Sequence, residues 1–294
     1  MMYKNSMNNG SHFLSIGIMA HNEKDNISIL LDKMLMQAEN ANYPFEITVV
    51  ASGCTDSTDE IVRTYADQDR RVQLLIEKER KGKAEAINLF LSQAQGDLLI
   101  ISSADIIPAE GVLESFLQEL RENSVGMVGG RPIPQPHHGL TPSINSLFWE
   151  LHHEMALKRP KLGELVALRN IIDKLPEGTI NDDAALEAMI TKKGYELKYL
   201  PEVNIYNYGP KTLASFIRQR TRIFVGHLYI KERMSYSVST YSIFPLITLF
   251  FKKIKSDRKK TFLILLLAGL EIYSRMAAFY YFLTKNKKYL VWGR

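Results

Sequence analysis

Short apolar runs alternate with amphipathic segments through the first half of the chain. Five runs have the length and composition of buried strands: Phe13 to Met19, Phe45 to Val50, Val72 to Ile76, Leu98 to Ile101 and Val125 to Val128. Between them, apolar residues recur at helical spacing. Because strand and helix alternate with short links, the pattern predicts an α/β fold, with a mostly parallel sheet covered by helices on both faces.

Polar side chains collect directly after three of these strands. His21 to Glu23 follow the first strand, Ser52 to Asp56 the second, and Ser103 to Asp105 the fourth. The carboxyl ends of parallel strands meet at one edge of a sheet, where open α/β folds bind their ligands. The sequence therefore predicts one shared crevice. It has no G-x-G-x-x-G after the first strand and no G-x-x-x-x-G-K-[ST] anywhere, which excludes the common glycine-rich phosphate loops.

The chain is less regular beyond residue 131, where proline is frequent. Adjacent acids suit the positive N-terminal end of a helix, so Asp182 and Asp183 mark a helix start. The elements predicted here are a helix from Ser143 to Lys158, a short helix opened by Asn181-Asp182-Asp183 and running through Lys193, a strand from Glu196 to Leu200 and a helix from Lys211 to Ile230.

The C-terminal part of the chain is more apolar. Ser242 to Phe251 is too short to cross a bilayer, and we expect it to be interfacial or re-entrant. Thr261 to Leu283 is long enough to span. Its charges Glu271 and Arg275 lie on one helical face and can pair, but charges in mid-membrane are costly. We expect this segment either to span once or to lie in the interface.

The net charge of +5 is mild but unevenly distributed. A basic cluster lies between the two apolar segments, where it suits an anionic lipid surface better than a nucleic acid, and Tyr289 and Trp292 are expected membrane anchors. The single cysteine, Cys54, fits a reducing compartment, and the polar first eleven residues lack the core of a signal peptide. The domain before the tail is therefore expected on the cytoplasmic side. The cluster comprises Lys252, Lys253, Lys255, Arg258, Lys259 and Lys260.

Six short motifs occur in order between about residues 12 and 230. They are Ile18–Glu23, similar to I-P-x-Y-N-E; Val49–Thr58, similar to V-V-D-D-G-S-T-D-x-T; Gly82–Asn88, similar to G-K-x-x-A-L-N; Ser103–Asp105, at the position of D-x-D; Asp182-Asp183, at an E-D pair; and Gln219–Ile223, similar to Q-x-x-R-W. Together they resemble the motifs of family 2 glycosyltransferases, which are inverting enzymes with a GT-A fold.

The sequence departs from the family's pattern at several positions. Ala51 and Ser52 stand where the family has two aspartates, and a hydroxyl would take over only part of the reading of the base. Ser103 replaces the first acid of D-x-D, so metal ligation is expected to be weaker or more water-mediated. Ile223 replaces the tryptophan that the family uses near the acceptor sugar, which argues against processive polymer synthesis.

The resemblance implies a role for each matched residue. Asp105 would bind Mg²⁺ or Mn²⁺, and Asp183 would be the general base that takes a proton from the acceptor hydroxyl. The remaining residues would bind the donor: His21, Asn22 and Glu23 line the base and ribose pocket with the His21 ring stacked on the base, Ser52 and Ser103 lie beside them, Lys83 meets the diphosphate, and Arg220 and Arg222 bind phosphates.

Each role has a simpler structural alternative. Asp105 could cap a helix begun near Pro108. Asp182 and Asp183 could serve only as helix-terminal charges, although two adjacent carboxylates repel each other and can raise one pKa, which suits a base. Lys83 could be an exposed lysine at a helix start. The two arginines could belong to a solvated basic face near the membrane.

Three functional hypotheses follow. The leading one is an inverting, metal-dependent hexosyltransferase that moves a sugar from a nucleotide-diphosphate sugar to a lipid-linked or membrane-proximal glycan acceptor. A polyprenyl-phosphate sugar synthase is the alternative within enzymes. The replaced acids motivate a third, a catalytically degenerate GT-A scaffold or binding subunit. The expected domains are a flexible N-terminus (1–11), a GT-A domain (12–232) with a nucleotide-binding half (12–131) and an acceptor half (132–232), and a membrane-associated helical tail (233–294).

Overall fold

The computed structural model describes residues 12–136, 138–256 and 260–284. Its strands are β1 (Leu14–Ala20), β2 (Phe45–Ser52), β3 (Val72–Glu77), β4 (Leu98–Ser103), β5 (Ile106–Pro108), β6 (Val125–Pro134), β7 (Leu165–Arg169) and β8 (Glu196–Asn207). Its helices are α1 (Ile27–Asn40), α2 (Thr58–Gln68), α3 (Lys83–Gln93), α4 (Val112–Glu119), α5 (Leu140–Ala156), α6 (Asp182–Lys192), α7 (Leu213–Met234), α8 (Ile243–Ser256) and α9 (Thr261–Leu283).

All eight strands join one sheet in the order β3-β2-β1-β4-β7-β6-β8-β5. Neighbouring strands from β3 to β4 are parallel, and β6 and β8 run in the same direction as these. Strands β7 and β5 are antiparallel to their neighbours. The prediction of a mostly parallel sheet is confirmed.

Both faces of the sheet are covered, because β1 and β2 are buried along their whole length and present apolar residues to each face. Ile16 and Ile18 of β1 belong to the core beneath α1 and α4, whereas Met19 belongs to the core on the opposite face with α3 and α6. Gly17 leaves room for the ring of Phe90, since a Cβ at this glycine would lie 2.6 Å from it. A third cluster joins α5, α7, α8 and α9.

Several strands differ from the sequence-based prediction: β6 continues past Val128 to Pro134, and the chain directly after Asp105 forms a strand. The chain continues from this residue into β5, and the next helix begins only at Val112 behind Gly111. The alternative that Asp105 caps a helix near Pro108 is therefore wrong. Strand β7 was not predicted, and β8 continues past Leu200 to Asn207.

Helix α9 has the predicted bounds and is the one described helix long and apolar enough to cross a membrane. It lies beside α7 and runs in the same direction. Arg220 pairs with Glu271, with Nε and Oε1 2.5 Å apart, and the guanidinium of Arg275 lies 4.5 Å from the ring centre of Phe224. The predicted Glu271–Arg275 pair also forms, with Nε and Oε2 3.7 Å apart.

The basic cluster beside α8 is partly neutralised. Lys253 lies 2.6 Å and Lys260 3.8 Å from the carboxylate of Glu150, and Lys252 lies 3.4 Å from that of Glu154. Both acids are on α5, so these lysines also attach the tail to the α/β domain. Several predicted features lie outside the described residues: Arg258, Lys259, Tyr289, Trp292 and the N-terminal stretch 1–11.

Candidate active site

A cleft lies at the carboxyl ends of β1, β2 and β4, and α5, α6 and α7 form its opposite wall. Asn22 is the one predicted site residue that does not line it. This residue has a left-handed φ of 56°, and its Oδ1 accepts a hydrogen bond from the Thr55 N–H at 2.8 Å, which joins the loops after β1 and β2. The cleft brings the other nine together: His21, Glu23, Ser52, Lys83, Ser103, Asp105, Asp183, Arg220 and Arg222.

The wall formed by β1 and β2 carries the predicted nucleoside pocket. The His21 ring is fixed because its Nδ1 lies 2.7 Å from the Ser52 carbonyl oxygen. The Ser52 hydroxyl is buried and has no hydrogen-bond partner among the described residues. Burial, and then repulsion from Asp105 and Asp56, raises the pKa of Glu23 to about 7. The wall thus presents a fixed ring and an unsatisfied hydroxyl.

Asp105 lies in the tight turn between β4 and β5. The Asn26 Nδ2 donates to the carbonyl oxygens of Ala104 at 2.6 Å and Ile106 at 3.1 Å, on either side of the acid. Asn26 occupies the N-cap position of α1, but its side chain makes no capping hydrogen bond there. Burial raises the pKa of Asp105, and the nearby Lys83 opposes this shift.

Glu164 and Asn207 lie at the same corner of the sheet. The carbonyl oxygen of Glu164 accepts a hydrogen bond from the Ser103 N–H at 3.1 Å. Asn207 pairs with Ile106 across β8 and β5, and its Nδ2 donates to Glu164 Oε1 at 3.3 Å. Burial, and then repulsion from Asp105, raises the pKa of Glu164 to about 7. The Asn207 Oδ1 is buried without a partner in the described part of the chain.

The two adjacent acids that begin α6 pair with different lysines. Asp182 Oδ2 lies 2.9 Å from Lys83 Nζ, so Lys83 is a half-buried member of the cleft and not an exposed lysine. Asp183 forms an ion pair with Lys161, whose Nζ also lies 3.3 Å from Glu187 Oε1. Burial would raise the pKa of Asp183, but Lys161 outweighs it and the pKa falls to about 2. The expectation of a raised pKa is wrong.

Arg220 and Arg222 of α7 do not belong to a solvated basic face. Arg220 is 7% exposed, is bonded to Glu271 and lies over the ring of Phe148, with 4.2 Å between the guanidinium carbon and the ring centre. Burial lowers the pKa of Arg222 to about 10, against the attraction of Asp182 and Asp183. Both side chains face the cleft.

Comparison with known proteins identifies the chain's family. The model of glycosyl transferase family 2 matches residues 15–171, more than half of the chain. The chain belongs to glycosyl transferase family 2. Glycosyltransferase AglE of Haloferax volcanii is 24% identical over 229 residues, 74% of each chain. The probable glycosyltransferase YdaM of Bacillus subtilis is 27% identical over 237 residues, which are 74% of this chain and 56% of YdaM.

A solved structure shares the fold over nearly the whole chain. The mannosyltransferase PcManGT from Pyrobaculum calidifontis, solved in complex with GDP-Man and Mn²⁺, superposes with a TM-score of 0.68 at 21% identity, covering 95% of this chain and 89% of that one. The protein is thus a family 2 glycosyltransferase with a GT-A fold, as the sequence motifs implied.

The corner around Asp105 has donors of the type that Mg²⁺ and Mn²⁺ prefer. The Asp105 carboxylate and the unpartnered Asn207 Oδ1 are hard oxygen donors. No group of three His, Cys, Asp or Glu side chains is arranged to hold a metal within the described ranges. These donors fit a divalent cation that completes its coordination with substrate phosphates.

The wall opposite the predicted nucleoside pocket contains residues that sequence reasoning missed in this family 2 enzyme. His152 of α5 and His227 of α7 line the cleft, and burial lowers the pKa of His152 to about 3 and that of His227 well below its ordinary value. Neither His227 nitrogen has a hydrogen-bond partner among the described residues. Trp149 lies beside them. Neutral imidazoles next to an aromatic ring are suited to binding the hydroxyl groups of a sugar.

Proposed function

We propose that this glycosyltransferase moves a hexosyl group, with inversion at C1, from a nucleoside diphosphate sugar to a lipid-linked or membrane-proximal acceptor. The observation that carries the proposal is the convergence in one cleft of Ser52, Asp105 and Asp183 from three separate elements. A base pocket, an acidic corner and an ionised carboxylate are the three parts that such a transfer needs.

The donor would lie along the β1, β2 and β4 ends. The fixed His21 ring would stack on the base, and the unsatisfied Ser52 hydroxyl would bond to a polar edge of the nucleoside. Lys83 and Arg222 would bind the diphosphate oxygens, since ammonium and guanidinium groups form strong charge-assisted bonds to phosphate. A divalent cation held by Asp105 would offset the charge of the leaving diphosphate.

Asp183 would act on the acceptor. Its carboxylate accepts the proton of the acceptor hydroxyl while that oxygen forms a bond to C1 of the sugar. The bond between C1 and the diphosphate oxygen breaks on the opposite face, and the nucleoside diphosphate leaves with the bonding electrons. Lys161 keeps Asp183 ionised at neutral pH because it lowers the pKa of this carboxyl to about 2.

A polyprenyl-phosphate acceptor is the second candidate. Lys161, which is buried, and Arg222, which is half-buried, place two cations near Asp183, and cations suit a phosphate nucleophile better than a sugar hydroxyl. A phosphate acceptor needs little help from a base. The Asp183→Asn variant would then retain activity with a polyprenyl phosphate.

The tail supports a membrane-proximal acceptor. One side of α9 is covered by α7, and the other carries a stripe of apolar side chains that are each more than half exposed. An apolar face on a helix whose other face is docked on a polar domain suits the plane of the interface better than a transmembrane orientation. The catalytic domain would then lie against the membrane surface, and the lone Cys54 favours the cytoplasmic side. The stripe consists of Phe262, Leu265, Ile272, Met276, Phe279 and Leu283.

Thermal unfolding of the full chain with a panel of nucleotide sugars, with and without Mn²⁺ or Mg²⁺, tests the donor side. A donor at about one hundred times its dissociation constant stabilises by about 2.7 kcal/mol. Release of nucleoside diphosphate in the presence of glycolipid or polyprenyl-phosphate acceptors then tests transfer. A folded protein that binds and hydrolyses no donor in the panel would contradict the proposal and support the scaffold hypothesis.

A further inference from the structure

We propose that Glu164 supplies a second carboxylate to the divalent-cation site, in place of the acid that is missing at Ser103. The inference rests on the proposed function, because it concerns the cation that the donor diphosphate would share. It assigns a role to a residue that none of the sequence motifs contains.

The strand register places Glu164 opposite Ser103. Strands β4 and β7 are antiparallel, and Ser102 pairs with Leu165. The next position along this ladder is Ser103 and Glu164, which the 3.1 Å hydrogen bond from the Ser103 N–H to the Glu164 carbonyl confirms. Both side chains line the cleft.

The second strand pair at this corner brings in Asp105. Strand β5 follows Asp105 directly, and its first residue, Ile106, is paired with Asn207. Asn207 in turn donates to Glu164 Oε1 at 3.3 Å. Two ladders of one sheet therefore converge and hold Asp105, Glu164 and Asn207 around the same point.

An unsatisfied polar atom at this corner points to a ligand. Asn207 is 4% exposed, and its Oδ1 has no hydrogen-bond partner among the residues that the structure describes. A buried acceptor without a partner is costly, and so are two carboxylates that repel each other. A divalent cation would relieve both costs, since it accepts carboxylate and amide oxygens together with phosphate oxygens.

The backbone at Glu164 is also unusual. Its φ of 62° is left-handed, a conformation that a non-glycine residue adopts at a cost. Gly163, which would tolerate such an angle more easily, immediately precedes it, so the strain is placed on the residue that carries the carboxylate.

The decisive measurement is Mn²⁺ affinity in the full chain, by titration of the free-ion electron paramagnetic resonance signal, with Mn²⁺ alone and with Mn²⁺ plus GDP or UDP. Loss of even an outer-shell partner of a metal weakens binding by about 10–100-fold, and Glu164→Gln is expected to weaken Mn²⁺ binding at least that much. Glu23→Gln is the matched control, since it removes an equal charge near Asp105 from outside the β4–β7 ladder. Its effect is expected to be several times smaller.

A double variant tests whether a carboxylate at position 103 can replace that of Glu164. Ser103→Asp in the Glu164→Gln background returns an acid to the facing position of the ladder and is expected to restore most of the Mn²⁺ affinity. Circular dichroism establishes that each variant is folded. Equal losses in Glu164→Gln and Glu23→Gln, or no rescue by Ser103→Asp, would overturn the role of Glu164.

Failure of the inference is distinguishable from failure of the proposed function. If the unsubstituted chain binds Mn²⁺ with a nucleotide and Asp105→Asn abolishes this binding while Glu164→Gln does not weaken it, the inference alone fails. If the unsubstituted chain binds neither Mn²⁺ nor either nucleotide, the proposed function fails and the inference falls with it.

Discussion

The two walls of the cleft are built in different ways. On the wall formed by the ends of β1, β2 and β4, which we propose binds the donor and call the donor wall, main-chain carbonyl groups hold side chains in place, as the Ser52 carbonyl holds His21 and those of Ala104 and Ile106 hold Asn26. On the wall formed by α5, α6 and α7, which we propose binds the acceptor and call the acceptor wall, charged side chains hold one another. Asp183 pairs with Lys161 and Arg220 with Glu271.

This difference determines how each wall responds to a substitution. Removing one member of a buried ion pair leaves an uncompensated charge, which costs far more than the pair itself contributes. Removing an unsatisfied hydroxyl from the donor wall leaves nothing unpaired. We therefore expect large effects on the acceptor wall and small, ligand-dependent effects on the donor wall.

The largest expected effect is on catalysis. Asp183→Asn removes the proposed base and should lower kcat for a hydroxyl acceptor by about 10²–10⁴-fold, the usual contribution of general base catalysis. Asp182→Asn is the neighbouring control, because that acid pairs with Lys83, and its effect should fall mainly on donor binding. Steady-state transfer assays separate the two. Equal losses of kcat in both variants would contradict a unique role for Asp183.

The attachment of the tail gives the next largest effect. Glu271→Gln leaves Arg220 buried without its carboxylate and should lower the free energy of unfolding by about 3–5 kcal/mol. Glu150→Gln removes an acid from a more exposed pair with Lys253, for which we expect less than about 1 kcal/mol. Denaturant titrations in detergent measure both. Similar losses in the two variants would show that the buried Arg220–Glu271 pair stabilises the fold no more than the exposed pair does.

Much of the fold could be predicted because apolar residues between about residues 12 and 131 recur at clear strand and helix spacing. Strand β1 and helix α9 appear within one residue of their predicted bounds, since each is a long apolar run. Strand β5 has only three residues and ends in Pro108, and β7 has five residues in a proline-rich region, so neither gave a strand signal. Pro201 interrupts the strand pattern, so the second half of β8 was not predicted.

The candidate site could be predicted only in part. Motifs identified Asp105 and Asp183, but their partners come from distant parts of the chain and depend on strand register or helix packing. Glu164 lies beside Ser103 at the end of the β4–β7 ladder, and Lys161 reaches Asp183 from the loop before β7. For the same reason sequence reasoning assigned the wrong direction to the pKa of Asp183. The sequence shows that Asp182 is adjacent to Asp183, but it does not show that Lys161 lies beside Asp183 in the fold.

Replacing Lys161 on the acceptor wall is expected to have an intermediate effect, which the pH dependence of kcat/KM measures. Burial raises the pKa of Asp183, and nearby cations, Lys161 first and Lys83 after it, lower it to about 2. Lys161→Met removes the largest of these, so the pKa should rise by about 1–3 units and the basic form should be lost at a higher pH. The acidic limb of the kcat/KM profile should shift upward by that amount relative to the unsubstituted enzyme. Lys161→Arg should keep the original limb, and an unchanged limb in Lys161→Met would show that Lys161 does not set this pKa.

The smallest expected effect is at Ser52 on the donor wall. A second serine, Ser15, serves as its control. Ser15 is also buried, but its hydroxyl donates to Glu46 Oε1 at 2.6 Å and accepts from the Gly96 N–H at 2.8 Å. Ser15→Ala should lower the Tm with and without ligand. Ser52→Ala removes a hydroxyl that has no partner within the described structure, so it should leave the Tm of the free protein unchanged or slightly higher. Only the additional stabilisation by a bound nucleotide should fall, by about 0.5–1.5 kcal/mol, the value of one hydrogen bond. A Ser52→Ala variant that lost stability without ligand and kept its full response to nucleotide would mean that this hydroxyl bonds within the protein and does not read the base.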